Sequence, residues 1–295
     1  MTTMKNYHVY IKGVHGWGLF YRMEDCLMFY TLFSTLAREM RLRIIAFCLM
    51  FNHIHFLVEG ISQKELTRFM KRLSTLFSLN YNQGYGRSGQ VLHKSYGKAA
   101  KRSMKKLMGC IAYIFNNPVA GKMCRRAWNH RWTLLAYYQN PHPYSERLIK
   151  RNCRFRMRRA LKVVDIHIKQ REYLNHATLT RIFDGLTSNE KAQLTDYIVF
   201  KYNFLNYSRL SEIYESFDKM LVAVDSNAGA EHDMEDDCGD HSVYQKMIAA
   251  MNAMGYKGKN IETLRSADRD KLTRHLLGVV RSPRAQFRKF MHYPA

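Results

Sequence analysis

Apolar and polar positions along the first 120 residues switch repeatedly between a period of two and a helical period. Residues 7–14 (YHVYIKGV) have the Tyr, Val and Ile content of a strand ending near a glycine, and residues 13–18 (GVHGWG) read as a loop. Over residues 23–40, Leu27, Tyr30, Leu32, Phe33, Leu36 and Met40 recur at the spacings of an amphipathic helix. Residues 41–50 predict a second strand, and only Phe51 and Asn52 remain for a turn before a third strand that ends at Gly60. Ser62, with Glu65 three residues on, predicts a capped helix striped by Leu66, Phe69, Met70, Leu73, Leu76, Phe77 and Asn80. Its other side is basic, with Lys64, Arg68, Lys71 and Arg72. Residues 83–89 (QGYGRSG) are turn chemistry, residues 90–96 (QVLHKSY) read as a fourth strand, and Ser103 caps a helix that Pro118 is expected to stop.

The order strand, helix, strand, strand, helix, strand, helix predicts an α+β fold of the ferredoxin-like or RNA-recognition-like type, an antiparallel sheet with helices on one face. Beyond residue 140 the pattern becomes helical. Residues 147–171 predict a strongly basic helix containing Arg154, Arg156, Arg158 and Arg159, and residues 174–221 read as all-helical. Residues 225–240 are acidic, glycine-containing and poor in apolar side chains, the composition of a flexible linker. Residues 241–295 return to a basic helical pattern with Met247, Ala250, Met251 and Met254 on one face. The expected organisation is a sheet domain over 1–140, a basic helical region over 141–224, the acidic linker over 225–240 and a helical C-terminal segment over 241–295.

Charge narrows the function. A formal net charge of +23 on 295 residues, with a pI near 9.8, predicts a polyanionic partner, because a basic surface gains affinity by displacing the counterions of phosphates. The charge is interleaved with Tyr, Phe and His, which favours nucleic acid over a membrane surface. Six cysteines without a C-x-x-C pair support neither a zinc ribbon nor a disulfide framework. The first residues lack a signal-peptide core, and the longest apolar run, residues 44–51, is too short to span a bilayer. The expectation is a cytoplasmic protein without a membrane partner.

The candidate chemistry lies on the third strand. His53 and His55, two positions apart, point the same way about 6.6 Å apart along a strand. They read either as two structural histidines or as a pair that shares a metal ion. Tyr113 and Asn117, four residues apart, share one helix face. A tyrosine hydroxyl is a competent nucleophile for a phosphodiester, and an asparagine carbonyl is a suitable third ligand for a hard divalent ion.

The sequence resembles the REP-associated tyrosine transposases, a branch of the single-tyrosine HUH transposases, over residues 7 to about 138. The matching stretches are YHVYIKGV, AFCLMFNHIHFLVEG, YNQGYGRSGQVL, YIFNNPVAGKM and NHRWTLLAYY. The resemblance implies that His53 and His55 bind the metal, that Tyr113 is the catalytic nucleophile and that Asn117 stands where relatives place the third ligand. It also implies cleavage of single-stranded DNA near a hairpin, with Mg or Mn, through a 5'-phosphotyrosine enzyme. Phe51 replaces a usual proline, Ala120 stands where arginine is common, and Trp132-Thr133-Leu134-Leu135 is a degenerate Trp-Ser-Ser segment.

Location and charge nominate Arg72, Tyr85, Arg87, Lys94, Lys98, Arg154 and Arg158 as DNA contacts. The alternatives are a non-catalytic nucleic-acid-binding protein with the same fold and a rolling-circle initiator or relaxase. No G-x-x-x-x-G-K-[ST] segment of the kind that accompanies many initiators occurs. Both a monomer and a homodimer can be built from these motifs.

Overall fold

The computed structural model describes residues 4–226 and 239–293, so most of the predicted acidic linker lies outside the described residues. Four antiparallel strands, β1 (Lys5–Lys12), β2 (Arg43–Leu49), β3 (His53–Ile61) and β4 (Gly97–Lys101), form one sheet in the order β2-β3-β1-β4. Helix α1 (Met23–Glu39) joins β1 to β2, and α2 (Gln63–Tyr85) joins β3 to β4. This is the expected α+β arrangement, followed by a long helical region.

Local chemistry sets several of these boundaries. The Ser62 hydroxyl accepts from the Glu65 amide (3.2 Å) and the Glu65 carboxylate accepts from the Ser62 amide (3.1 Å), so α2 starts where the capping box predicts. Ser103 likewise accepts from the Lys106 amide at 3.3 Å and opens α3 (Met104–Ala120). Pro118 does not stop α3, which runs on to Ala120. A proline in the last turn forfeits only its own amide bond, and Gly121 closes the helix.

The fourth strand is shifted. The apolar stretch 90–96 holds to β1 through a bridge between Gly13 and Leu92, while the ladder forms at Gly97–Lys101. The sequence there, GKAAK, has little strand propensity. What selects it is Gly97 opposite Tyr10: a Cβ at Gly97 would lie 2.1 Å from the Tyr10 ring, so the ring needs a glycine beside it.

The two faces of the sheet have different covers. The Phe56 ring meets Phe33 of α1 (5.1 Å) and Phe69 of α2 (5.9 Å), while its neighbour His55 faces Tyr113 of α3. Successive strand residues point to opposite faces, so α1 and α2 share one face and α3 lies on the other.

Residues 141–226 add α4 (Phe155–Gln170), α5 (His176–Phe183), α6 (Ser188–Lys201), α7 (Tyr207–Ile213) and α8 (Phe217–Ser226) to the same hydrophobic core. The Tyr30 hydroxyl donates to the Val199 carbonyl (2.8 Å), and the Asn206 amide donates to the Ile44 carbonyl (2.9 Å), which covers the exposed edge of β2. Asp196 of α6 is fully buried, with the Arg131 guanidinium and the Tyr137 hydroxyl (2.6 Å) upon it.

The C-terminal helices α9 (Ser242–Met251), α10 (Ser266–Val279) and α11 (Arg284–Met291) build a second, smaller cluster around Met247, Leu272, Leu276 and Phe290. Among the described residues of the first half of the chain, only Tyr21 and Phe51 join its buried members. Phe51 stacks on Tyr244 at 4.3 Å, so the residue that departs from the transposase pattern serves as an anchor for the C-terminal segment.

Candidate active site

The site is built on the face of the sheet that α3 covers. Strand pairing sets Tyr10 and Cys48 beside His55, and Lys12 beside His53, so these side chains share that face. The two imidazoles lie 4.9 Å apart, centroid to centroid, at right angles. Tyr113 meets the edge of His55 at 5.8 Å and of His8 at 5.7 Å. Asn117, one helical turn on, brings its Oδ1 to 3.3 Å from His53 Nε2 and its Nδ2 to 3.5 Å from the Tyr113 hydroxyl. The four residues singled out as the nucleophile and metal ligands are thus brought together by one chain.

Each imidazole is held through Nδ1. Asn52 Oδ1 lies 2.8 Å from His53 Nδ1, and the Asn52 amide group donates to the Gly16 carbonyl at 2.9 Å, which fixes which end of the amide faces the ring. His53 Nδ1 therefore donates. His8 Nε2 lies 3.0 Å from His55 Nδ1 and orients the second ring in the same way. This is the outer-shell pattern of metal-binding histidines, in which the nitrogen away from the metal is tied down.

The donor set also fits a cation. With Nδ1 protonated, neutral His53 presents the Nε2 lone pair to the Asn117 carbonyl oxygen, and two acceptors face each other across 3.3 Å. A cation between them, a proton on Nε2 or an end-for-end turn of the amide relieves this. Burial, and then the charges of His53, His8 and His241, push His55 well below the usual imidazole range, so it stays neutral with a lone pair available. Among the described residues no group of three or more His, Cys, Asp or Glu side chains could hold a metal ion. The candidate donors are therefore two imidazoles and one amide oxygen.

Beside His53 opens a cleft of about 550 Å3 whose walls include Tyr10, Lys12, His93, Lys94 and Lys289. Of the proposed DNA contacts only Lys94 lines it. Arg72 pairs with Glu39 (2.6 Å) on the α1 and α2 side. Tyr85 turns inward, with its hydroxyl 2.7 and 2.8 Å from the two oxygens of buried Asp25, and Arg87 pairs with Glu262 at 2.5 Å. Lys98 stands opposite Val9, on the face away from the histidines. Arg154 pairs with Glu190, while Arg158 is exposed on α4.

Sequence reasoning missed His8, Tyr10, Asn52, His241 and Lys289. The first two carried a readable signal, since they alternate along the strand that pairs with the histidines. His241, whose ring lies 5.5 Å from His53, carried none, because 188 residues separate them.

Residues 19–117 match the model of a family described as "Transposase IS200 like". The matched segment contains His53, His55, Tyr113 and Asn117, and the resemblance read from the sequence holds over it. A solved structure described as "Structure of the REP associates tyrosine transposase bound to a REP hairpin" is similar over 45% of this chain and 79% of its own, at 11% identity and a TM-score of 0.40. No curated protein matches the chain. Among the described residues no helix is long and apolar enough to cross a membrane.

Proposed function

We propose that the protein is a metal-dependent single-stranded DNA endonuclease and strand transferase that acts on hairpin-flanked DNA through a 5'-phosphotyrosine intermediate. The observation that carries this is the convergence of Tyr113, Asn117, His53 and His55 within one chain, inside the segment that matches a transposase model. Tyr113 Oη attacks the scissile phosphorus and loses its proton as the new P–O bond forms. The bond from phosphorus to O3' breaks, and the 3' oxygen leaves as a hydroxyl. Attack by another 3'-hydroxyl on the phosphotyrosine reverses these steps and rejoins the strand.

Asn117 orients the nucleophile through its Nδ2 contact with the tyrosine hydroxyl, while its carbonyl faces His53. His53, His55 and Asn117 would hold a divalent ion, Mg or Mn, which when bound neutralises charge on the scissile phosphate. His8 and Asn52 keep the two imidazoles in place.

A second reading rests on Tyr10, which stacks on His55 at 5.6 Å and lines the cleft. It has the same chemistry and is the rival nucleophile. Incubation with single-stranded hairpin DNA and Mg or Mn should yield a denaturation-resistant protein–DNA adduct. Tyr113→Phe should abolish the adduct and leave DNA binding unchanged. An adduct that survives the substitution removes Tyr113 as nucleophile, and the absence of any adduct with any hairpin favours a binding-only protein.

A further inference from the structure

Building on the reading that the cleft beside His53 takes single-stranded DNA, we propose that His15, in the loop between β1 and α1, is a substrate-contacting residue whose ring receives an unpaired base of that strand. Charge alone holds a strand without regard to its bases, whereas a ring on the wall gives a base a face to stack on. The rings that line the cleft are those of Tyr10, His15, His53 and His93. Tyr10 and His53 already pack on His55, at 5.6 and 4.9 Å between centroids. His15 is exposed, and its ring meets Trp17 at 4.9 Å.

Two features set His15 apart from His93, the other exposed ring on this wall. The first is its backbone, which is left-handed (φ 53°, ψ 16°), a conformation that glycine takes freely and that strains a residue with a Cβ. The turn around it is tied on each side. The Gly16 amide donates to the Gly13 carbonyl (2.9 Å), the Trp17 amide to the Val14 carbonyl (3.0 Å) and the Val14 amide to the Val91 carbonyl (2.9 Å). Strain of this kind persists where the surroundings over-determine it, and it gathers at ligand-binding positions.

The second feature is the support behind the ring. Trp17 stacks on His292 at 4.7 Å with the planes 10° apart, and His292 Nδ1 lies 2.8 Å from Glu262. The C-terminal segment therefore steadies the ring on which His15 rests. A platform fixed before the base arrives loses little conformational freedom on binding. The same turn leads to the candidate metal ligands, because the Gly16 carbonyl accepts from the Asn52 side chain and Asn52 holds His53. His15 and His53 are thus fixed relative to one another, which sets a base on His15 at one register from the phosphate at the nucleophile.

The test compares the full-length parent with His15→Asn, since asparagine accepts the left-handed backbone and removes the ring. Binding of two fluorescent single-stranded 20-mers is followed by anisotropy in EDTA, one of mixed sequence and one abasic throughout with the same number of phosphates. The parent should bind the base-bearing strand more tightly. His15→Asn should bind the base-bearing strand about 5-fold or more weakly than the parent does, and the abasic strand as the parent does. A parent that binds the two strands alike, a variant that keeps the parent's affinity for the base-bearing strand, or an equal loss on both strands overturns the assignment of His15 and leaves the proposed function standing. A parent that binds neither strand overturns both.

Discussion

The chain carries two basic helical regions beyond residue 140, and they do different work. Residues 155–226 fold against α1 and the edge of β2 and complete the main core, through the Tyr30 bond to Val199 and through buried Asp196. Residues 242–291 build a cluster of their own that meets the rest of the protein at Tyr21 and Phe51, at the Gly13–Gly18 loop and, through Asn260 and Glu262, at Tyr81 and Arg87. The first region therefore acts as a buttress and the second as a wall of the site. Similar composition leads to different positions because docking decides which surface of the sheet domain each helix meets.

Truncation gives the largest contrast. Removing residues 141–295 should leave a chain without a cooperative melt, since the flank of α1 that carries Tyr30 and Phe33 loses its cover. Removing 239–295 should leave a folded protein that still melts cooperatively, with a helical far-UV signal reduced only by the share of α9, α10 and α11, and most of its DNA cleavage lost. If the shorter truncation keeps full cleavage, the second region is not a wall of the site.

Arg131→Met strands the buried carboxylate of Asp196 without its cation and should cost about 3–5 kcal/mol in urea unfolding. A loss below 1 kcal/mol would mean that α6 is not locked to the core by this pair.

Acid provides a third separation. Burial lowers the His130 imidazole to about 4 from its ordinary 6.5, while its Nε2 donates to the Leu49 carbonyl at 3.0 Å. The unfolded chain binds this proton more readily. The stabilisation is therefore full above pH 6.5 and is lost as pH falls towards 4, by about 3 kcal/mol at about 1.4 kcal/mol per pH unit. His130→Gln should flatten that part of the stability profile, and an unchanged profile would refute the assignment.

Smallest of all, Arg154→Ala on α4 should leave stability nearly unchanged in urea unfolding, because the pair it forms with Glu190 lies at the surface and is screened by solvent. If it weakens binding of single-stranded DNA and makes its salt dependence shallower, α4 belongs to the DNA interface.

The sheet, and the grouping of four candidate side chains upon it, were largely legible in the sequence because both are encoded locally. A capping box, a period-2 strand and an i, i+4 face each fall within a few residues, and they singled out His53, His55, Tyr113 and Asn117, which the fold brings near one another. The fourth strand was not legible, since GKAAK is selected by the room it gives Tyr10 and not by its own propensity. Tyr85 and Arg87 looked like DNA contacts in a glycine-rich turn, but their partners Asp25 and Glu262 are distant in sequence. The same long range hid His241 and Lys289, which reach the site only through the docking of a separate cluster on Phe51.

The central claim is that Tyr113, and not its neighbour Tyr10, forms the covalent link to DNA. Adduct formed on hairpin DNA with Mn, trimmed by nuclease and trypsin, can be located by mass spectrometry. The account predicts the nucleotide mass on residues 107–122 (LMGCIAYIFNNPVAGK), which contain Tyr113. Nucleotide found instead on residues 6–12 (NYHVYIK), which contain Tyr10, would contradict it.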